Sequence, residues 1–325
     1  MLIRFFKNNS PSAFIILPLF ALFFWVPGFF AAHDAFDFGM PFYTAVIKWF
    51  SGSGGIASFV AYVLVIAQAF LLNYIVNENE VLSKPSFLPA LLYIVFMSSD
   101  TAQLTLYPLL FANLFILLAI HKLVSSYRKD TAFSNSFDAA FLLSVASLFY
   151  FPCVVFFPVL YVGFILFRPF NWREWVIALI GIVVPFTFVF TYFFWNDMLG
   201  SLWSIQLFYP NPQRSKLATS DGFYVMLSVC LLMVSLAFGK LFTGLSDASQ
   251  KNKKGILLLL WLTGLALLSV FLSPEITLRN FSVLAIPAAV FCSNYFLKMK
   301  RTQLGEVLFF MLMIALFINH LLSYK

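Results

Sequence analysis

The stretch Phe87–Ile120 reads FLPALLYIVFMSSDTAQLTLYPLLFANLFILLAI, and its most polar interruption, Ser98-Ser99-Asp100-Thr101, falls near the middle. As one helix these residues would extend about 51 Å, whereas the hydrocarbon core of a bilayer is roughly 30 Å thick. The stretch therefore predicts a short helix, a turn and a second helix, with Asp100 at a membrane surface. A simpler role for Asp100 is to cap the helix that begins at Thr101.

The composition of the whole chain places it in a membrane. Of its 325 residues 62% are hydrophobic and only 10% are charged, and the mean hydropathy is +0.93. Soluble domains carry about a quarter charged residues. The longest loop, residues 196–223, is too short to build a core of its own. We predict a single integral membrane domain over residues 1–325, with no separate soluble domain.

Other apolar stretches have the length of membrane spans. They cover residues 12–32, 55–76, 175–195, 224–245, 256–272, 281–297 and 307–322, close to the 20 or so apolar residues that a span needs. A second interrupted stretch, Ala139–Phe167, is broken at Tyr150-Phe151-Pro152 and predicts another hairpin. The predicted fold class is all-α: a polytopic transmembrane helical protein of about eleven membrane segments, including two short hairpins.

The basic residues predict the orientation of these segments. The net charge is +7, but Lys and Arg are scattered over short loops, which indicates positive-inside topology and no nucleic-acid partner. With both hairpins accepted, about fifteen basic residues fall on the cytoplasmic side and about five outside. The N-terminus is then inside and the C-terminus outside, and membrane lipids are the expected surroundings.

The first outer loop brings together one imidazole and two carboxylates, those of His33, Asp34 and Asp37. A carboxylate at a membrane mouth of low dielectric constant can act as a general base, or can hold a divalent cation together with Asp100. The alternative is a solvated loop in which Asp37 caps an amphipathic stretch from Pro41 to Phe50. The sequence leaves the metal open, and a divalent cation is the one cofactor it suggests.

Two later outer segments offer binding groups. The loop 196–223 carries Trp203, Tyr209 and Arg214, which suit a sugar or a phosphate but equally suit an interfacial aromatic belt. Arg279 lies immediately before a span, on the side where positive residues are sparse. Its guanidinium can clamp a phosphate, or it can extend toward lipid headgroups.

The order of these motifs resembles that of the polytopic glycosyltransferases of the GT-C type. The resemblance lies in the acidic loop after the first helix (Asp34, Asp37), the acidic turn between short helices (Asp100), and a hairpin with a broken tip and a basic turn, Phe141–Glu174. The segment from Arg279 to Pro287 resembles their late Arg-aromatic-Leu-Pro segment. The resemblance implies that Asp34 or Asp37 activates the acceptor, Asp100 is the second acid, and Arg279 binds the phosphate of the carrier.

Three functions follow from the sequence as alternatives. The first is transfer of a sugar from a polyprenyl-phosphate carrier to an acceptor at the outer face, with Asp34, Asp37 and Asp100 as catalytic residues and Arg279, Trp203, Tyr209, Arg214 and His33 as substrate-binding residues. The second is a lipid-linked substrate transporter, which predicts a cavity reached from both faces. The third is a non-catalytic subunit of an envelope or secretion complex, so whether the chain is an enzyme stays open.

The composition and the N-terminal segment of the chain are also similar to those of uncharacterised inner-membrane proteins of Bacteroidota. This resemblance implies a location in a bacterial cytoplasmic (inner) membrane.

Overall fold

The structure, a computed structural model, describes residues 2–30, 40–50, 54–127, 129, 131–200, 221–244, 249–273, 277–299 and 302–323. Within these ranges the chain is helical and contains no strand, as the all-α prediction requires. In chain order the α-helices of the described part are α1 Leu2–Phe6, α2 Ala13–Phe30, α3 Pro41–Ile47, α4 Gly54–Glu78, α5 Leu88–Met97, α6 Pro108–Val124, α7 Phe133–Phe149, α8 Phe157–Phe167, α9 Trp172–Trp195, α10 Asp221–Gly244, α11 Gln250–Phe271, α12 Ala285–Lys298 and α13 Thr302–Ser323.

Seven helical stretches of the described residues are long and apolar enough to cross a membrane: α2, α4, α9, α10, α11, α13, and α12 together with the 3-10 helix Leu278–Leu284 that precedes it. The chain therefore has the character of a multi-pass helical membrane protein. The four shorter apolar helices, α5 to α8, coincide with the two predicted hairpins. The total number of crossings and the side on which each terminus lies stay predictions.

Both interrupted stretches break where the sequence predicts. α5 ends at Met97, the 3-10 helix Thr101–Gln103 follows, and α6 begins with Pro108. The second break lies between α7 and α8, where the 3-10 helix Phe151–Phe156 carries a proline in its first turn. Proline lacks an N–H and fixes φ, so it fits the first turn of a helix and is unfavourable further inside.

Helix α5 forms the centre of the bundle. All ten of its residues are buried, and it contacts α1, α2, α4 and α12. At about 15 Å it is too short to cross the hydrocarbon core alone. The polar segments at its two ends therefore lie within the helix bundle. The segment at its C-terminal end is the turn that contains Asp100.

Basic side chains gather at the end of the bundle where α6 finishes. Lys122 lies in the last turn of α6, and the Lys254 ammonium is 5.2 Å from the centroid of the Tyr127 ring. Arg168 Nη1 donates to the Ser126 carbonyl oxygen at 3.5 Å. The Asp100 turn precedes α6 and so lies at the opposite end. The positive-inside rule predicts that this turn faces outward.

Candidate functional site

Asp100 lies in the turn between α5 and α6 and is almost wholly buried, at 6% exposed. Its backbone is extended, and its Oδ1 accepts a hydrogen bond of 2.8 Å from the Ala102 amide. This contact satisfies an N–H that would otherwise lack a partner at the start of the 3-10 helix Thr101–Gln103. The capping role predicted as the simpler alternative is therefore confirmed.

The last helix holds the Asp100 turn from one side. Asn319 Nδ2, in α13, donates to the Ser99 carbonyl oxygen at 2.8 Å and to Asp100 Oδ2 at 3.4 Å. The next residue, His320, has its Nε2 at 2.9 Å from the Ser98 carbonyl oxygen. Trp25 Nε1, in α2, donates to Ser98 Oγ at 3.0 Å. Two helices far apart in sequence thus fix the position of the turn, and α13 also contacts the carboxylate.

Arg279 approaches the same turn from another direction. Its Nε donates to the Ala102 carbonyl oxygen at 2.6 Å, and its Cζ is 6.0 Å from the centroid of the Tyr107 ring. The residue is 8% exposed and belongs to the 3-10 helix that precedes α12. Arg279 is therefore held inside the protein, and the alternative of a side chain extending to lipid headgroups is wrong.

Only part of the predicted site lies among the described residues. Asp100 and Arg279 are brought to one three-residue turn. The other predicted site residues lie outside the described residues: His33, Asp34, Asp37, Trp203, Tyr209 and Arg214. No group of three or more His, Cys, Asp or Glu side chains that could hold a metal ion occurs in the described part of the chain.

The helices on either side of residues 31–39 contact the loop that follows the Asp100 turn. Gly28, near the end of α2, packs so closely on Leu104 that a Cβ added to it would lie 2.7 Å from Leu104 Cβ. Tyr43, in α3, donates from its hydroxyl to the Leu106 carbonyl oxygen at 3.2 Å. Both flanking helices therefore meet the loop between Asp100 and α6.

An apolar cleft of about 580 Å³ opens beside Asp100. One wall is α10 from Phe223 to Phe238, and the facing wall runs from Leu278 to Phe291 through the 3-10 helix into α12. Residues of α11 complete the lining. The volume falls in the range of roughly 300–1,000 Å³ typical of ligand sites.

Four polar side chains of the cleft lie at one end of it, and Thr263 of α11 also lines the cleft. Ser99, Asp100 and Gln103 line it from the turn, and Ser282 lines it from the facing wall. Gln103 Nε2 donates to the Leu278 carbonyl oxygen at 3.4 Å, so this end is built from two segments. Arg279 is not among the lining residues, and its Nε binds the Ala102 carbonyl oxygen of the same turn.

At the opposite end the two walls meet. The Phe238 and Phe291 rings make an edge-to-face contact with centroids 5.1 Å apart at 72°. From Phe223 to Phe238 the wall is about 22 Å long, at 1.5 Å per helical residue. The cleft is thus long and apolar, with polar groups at one end, which is the shape of an amphiphilic lipid.

Three of the residues that build this site were not predicted as part of it: Asn319, His320 and Gln103. Asn319 and His320 stand out in sequence as polar residues near the end of an otherwise apolar span. Polar side chains in such segments usually face the protein interior and mark functional positions. Their partner, the Asp100 turn, lies more than two hundred residues away, so no local pattern in the sequence indicates the contact.

The fold and the cleft together define a class: a multi-pass helical membrane protein with an apolar cleft that ends at a carboxylate. The chain belongs to a family described as being of unknown function (DUF6427), whose model matches residues 38–324. Asp100, Arg279 and the whole cleft lie inside the matched range, whereas Asp34 and Asp37 precede it. No curated protein and no solved structure matches the chain. The matching family model is not that of a glycosyltransferase, so the GT-C likeness stays a resemblance.

Proposed function

We propose that this protein binds a lipid-linked sugar, with the lipid chain in the cleft and the headgroup at the Asp100 turn, and transfers the sugar from a polyprenyl-phosphate carrier to an acceptor. The observation that carries the proposal is the cleft of about 580 Å³, apolar along its length and polar at one end. A soluble sugar or an ion would make no favourable contacts with such a long apolar wall.

The hydrocarbon chain of the lipid contributes more to the orientation of the bound lipid than to the free energy of binding. A lipid tail already lies in an apolar solvent, so moving it into the cleft yields packing contacts and little hydrophobic free energy. The headgroup then decides what binds. Ser99, Asp100 and Gln103 provide hydroxyl, carboxylate and amide groups at the height where the headgroup lies, which suits the hydroxyls of a sugar.

The proposed chemistry needs one base and one cation. A carboxylate removes the proton of an acceptor hydroxyl, the acceptor oxygen forms a bond to the anomeric carbon, and the bond from that carbon to the carrier phosphate oxygen breaks. The electron pair stays on the phosphate, whose growing charge a guanidinium stabilises. We assign the base to Asp34 or Asp37, the contact with the sugar to Asp100, and the cation to Arg279.

The position of the cleft favours transfer at the outer face of the cytoplasmic membrane. Its polar end lies opposite the basic end of the bundle, which the positive-inside rule assigns to the cytoplasm. A transporter needs access from both faces, whereas the carboxylate and amide groups that line this cleft lie at one end and the Phe238–Phe291 pair lies at the other. One-sided access supports the enzyme over the transporter.

A non-catalytic membrane subunit is the second candidate. In its favour, Asp100 Oδ1 caps a helix and Arg279 Nε binds a backbone carbonyl, and both are structural roles. Asp100→Asn separates the candidates, because asparagine caps as well as aspartate but lacks the negative charge. Loss of sugar transfer in a folded Asp100→Asn variant supports the enzyme, and full retention supports the subunit.

Photocrosslinking tests occupancy of the cleft. The protein is reconstituted in nanodiscs with a polyprenyl-phosphate sugar that carries a diazirine near the headgroup, and labelled peptides are identified by mass spectrometry. Val234, which lines the cleft, is replaced by Trp to fill it. Leu236, two residues along α10 and 40% exposed, is replaced by Trp as the matched control. We expect labelling of cleft residues in the wild type and in Leu236→Trp but not in Val234→Trp. Equal labelling of both variants contradicts the proposal.

A further inference from the structure

We infer that the Phe238–Phe291 pair closes the end of the cleft and so limits how much of a lipid chain the protein contacts. We call this pair the stop. The cleft then binds only the part of the chain nearest the headgroup. This inference rests on the proposed function and adds a specificity determinant to it. The lipid class it implies is any carrier with the right headgroup whose chain reaches the stop, whatever its total length.

The stop follows from how the walls converge. Phe238 and Phe291 are the deepest residues of α10 and α12 that line the cleft, and their rings touch edge to face. Phe291 is 1% exposed, so its ring is enclosed by the bundle. Protein interiors are close-packed, so the surrounding side chains leave little room for an added group. A chain that enters at the Asp100 end therefore meets two packed rings after about 22 Å.

Above the stop the cleft opens sideways. Leu231 and Leu267 line it, yet they are 60% and 46% exposed at the surface that faces lipid. A chain longer than the cleft can thus leave between α10 and α11 and continue in the bilayer. Long chains are accommodated without passing the stop, and their distal part makes no contact with the protein interior.

The stop is tested with a set of polyprenyl-phosphate probes of one length, each with a single diazirine at a different distance from the phosphate. In the wild type we expect proximal diazirines to label cleft residues and distal ones to label bulk lipid, with a sharp boundary between them. Phe238→Ala removes one ring and moves the boundary deeper by about one helical turn, roughly 5 Å, so that residues such as Leu241 become labelled.

Two further variants complete the test. Phe238→Leu shortens the side chain with less loss of packing and is used if the alanine variant does not fold, with a smaller shift expected. Phe310→Ala, on the exposed face of α13, is the matched control and leaves the boundary in place. Proximal labelling with a boundary that Phe238 variants do not move overturns the stop alone. Absence of cleft labelling by every probe overturns the proposed function as well.

Discussion

Arg168 and Glu174 form an ion pair that is almost wholly removed from solvent. The distance from Nη2 to Oε1 is 2.8 Å, and the side chains are 4% and 2% exposed. Arg168 follows α8, and Glu174 lies in the first turn of α9, so the pair joins the two helices across a short connection. Glu174→Gln keeps the size of the side chain but removes the negative charge that faces the guanidinium.

The size of the effect follows from burial. Opposite unit charges at this separation attract by about 6 kcal/mol at an effective dielectric constant of about 20, and by about 1.5 kcal/mol in water. Removing one partner of a buried pair costs about 3–5 kcal/mol, because the remaining charge stays desolvated. We expect Glu174→Gln to lower the free energy of unfolding by about 3 kcal/mol, at the lower end of this range, since the neutral amide still presents a polar oxygen to the guanidinium.

A matched control exists in the same protein. Lys122 and Asp138 are also 2.8 Å apart, but their side chains are 39% and 34% exposed. Exposed pairs contribute about 0–1 kcal/mol, so Asp138→Asn should have little effect. The two ion pairs have the same N···O distance and differ in how far their side chains are buried.

The free energy of unfolding is measured by titrating a denaturing detergent into the micelle-solubilised protein and following helix content by circular dichroism. The double variant Arg168→Met/Glu174→Leu should recover to within about 1 kcal/mol of the wild type, because both buried charges are removed. Equal losses in Glu174→Gln and Asp138→Asn would refute the argument that burial decides the effect. A double variant as unstable as Glu174→Gln would refute the argument that the buried charge of Arg168 causes the loss.

Three further predictions concern the Asp100 turn, and the same unfolding titration measures each. Asp100→Ala should cost about 1 kcal/mol more than Asp100→Asn, because only asparagine keeps the cap; equal stability of the two variants contradicts the capping role. Gly28→Ala should cost about 1–3 kcal/mol, because the new Cβ would lie 2.7 Å from Leu104 Cβ. Gly264→Ala, whose Cβ would have nothing within 4 Å, should not destabilise the protein, and similar losses at both glycines would show that the contact does not matter. Asn319→Ala should cost about 1–3 kcal/mol, because the turn loses two hydrogen bonds; unchanged stability and unchanged hydrogen exchange at the turn would contradict this.

Much of the helical architecture could be predicted because it depends on local composition. The break of Phe87–Ile120 at Asp100 is confirmed, since the stretch is too long for one span and its polar residues are grouped. The amphipathic stretch beginning at Pro41 is a helix, although a shorter one, Pro41–Ile47. The predicted span 281–297 begins too late, because a 3-10 helix from Leu278 to Leu284 continues directly into α12.

The candidate site was predicted only in part. Asp100 and Arg279 were each selected for their chemistry, and the structure brings them to one turn. Asp100 lines the cleft and Arg279 Nε binds the Ala102 carbonyl oxygen of the same turn, while the convergence of both with Asp34 on one cavity stays a prediction. The direction in which a side chain leaves a turn depends on the backbone conformation of that turn, which the sequence pattern does not specify.

The sequence by itself determined that this chain is a helical membrane protein, where its apolar segments lie and where two of them break. These properties are sums over neighbouring residues, so they can be read along the chain. Only the tertiary structure decided that Asn319 meets Asp100, that Arg279 is buried against Ala102, and that α10 and α12 leave a cleft between them. Such contacts depend on which helix faces pack together in space. In a membrane, where lipid and side chains are equally apolar, close packing and a few hydrogen bonds make that choice.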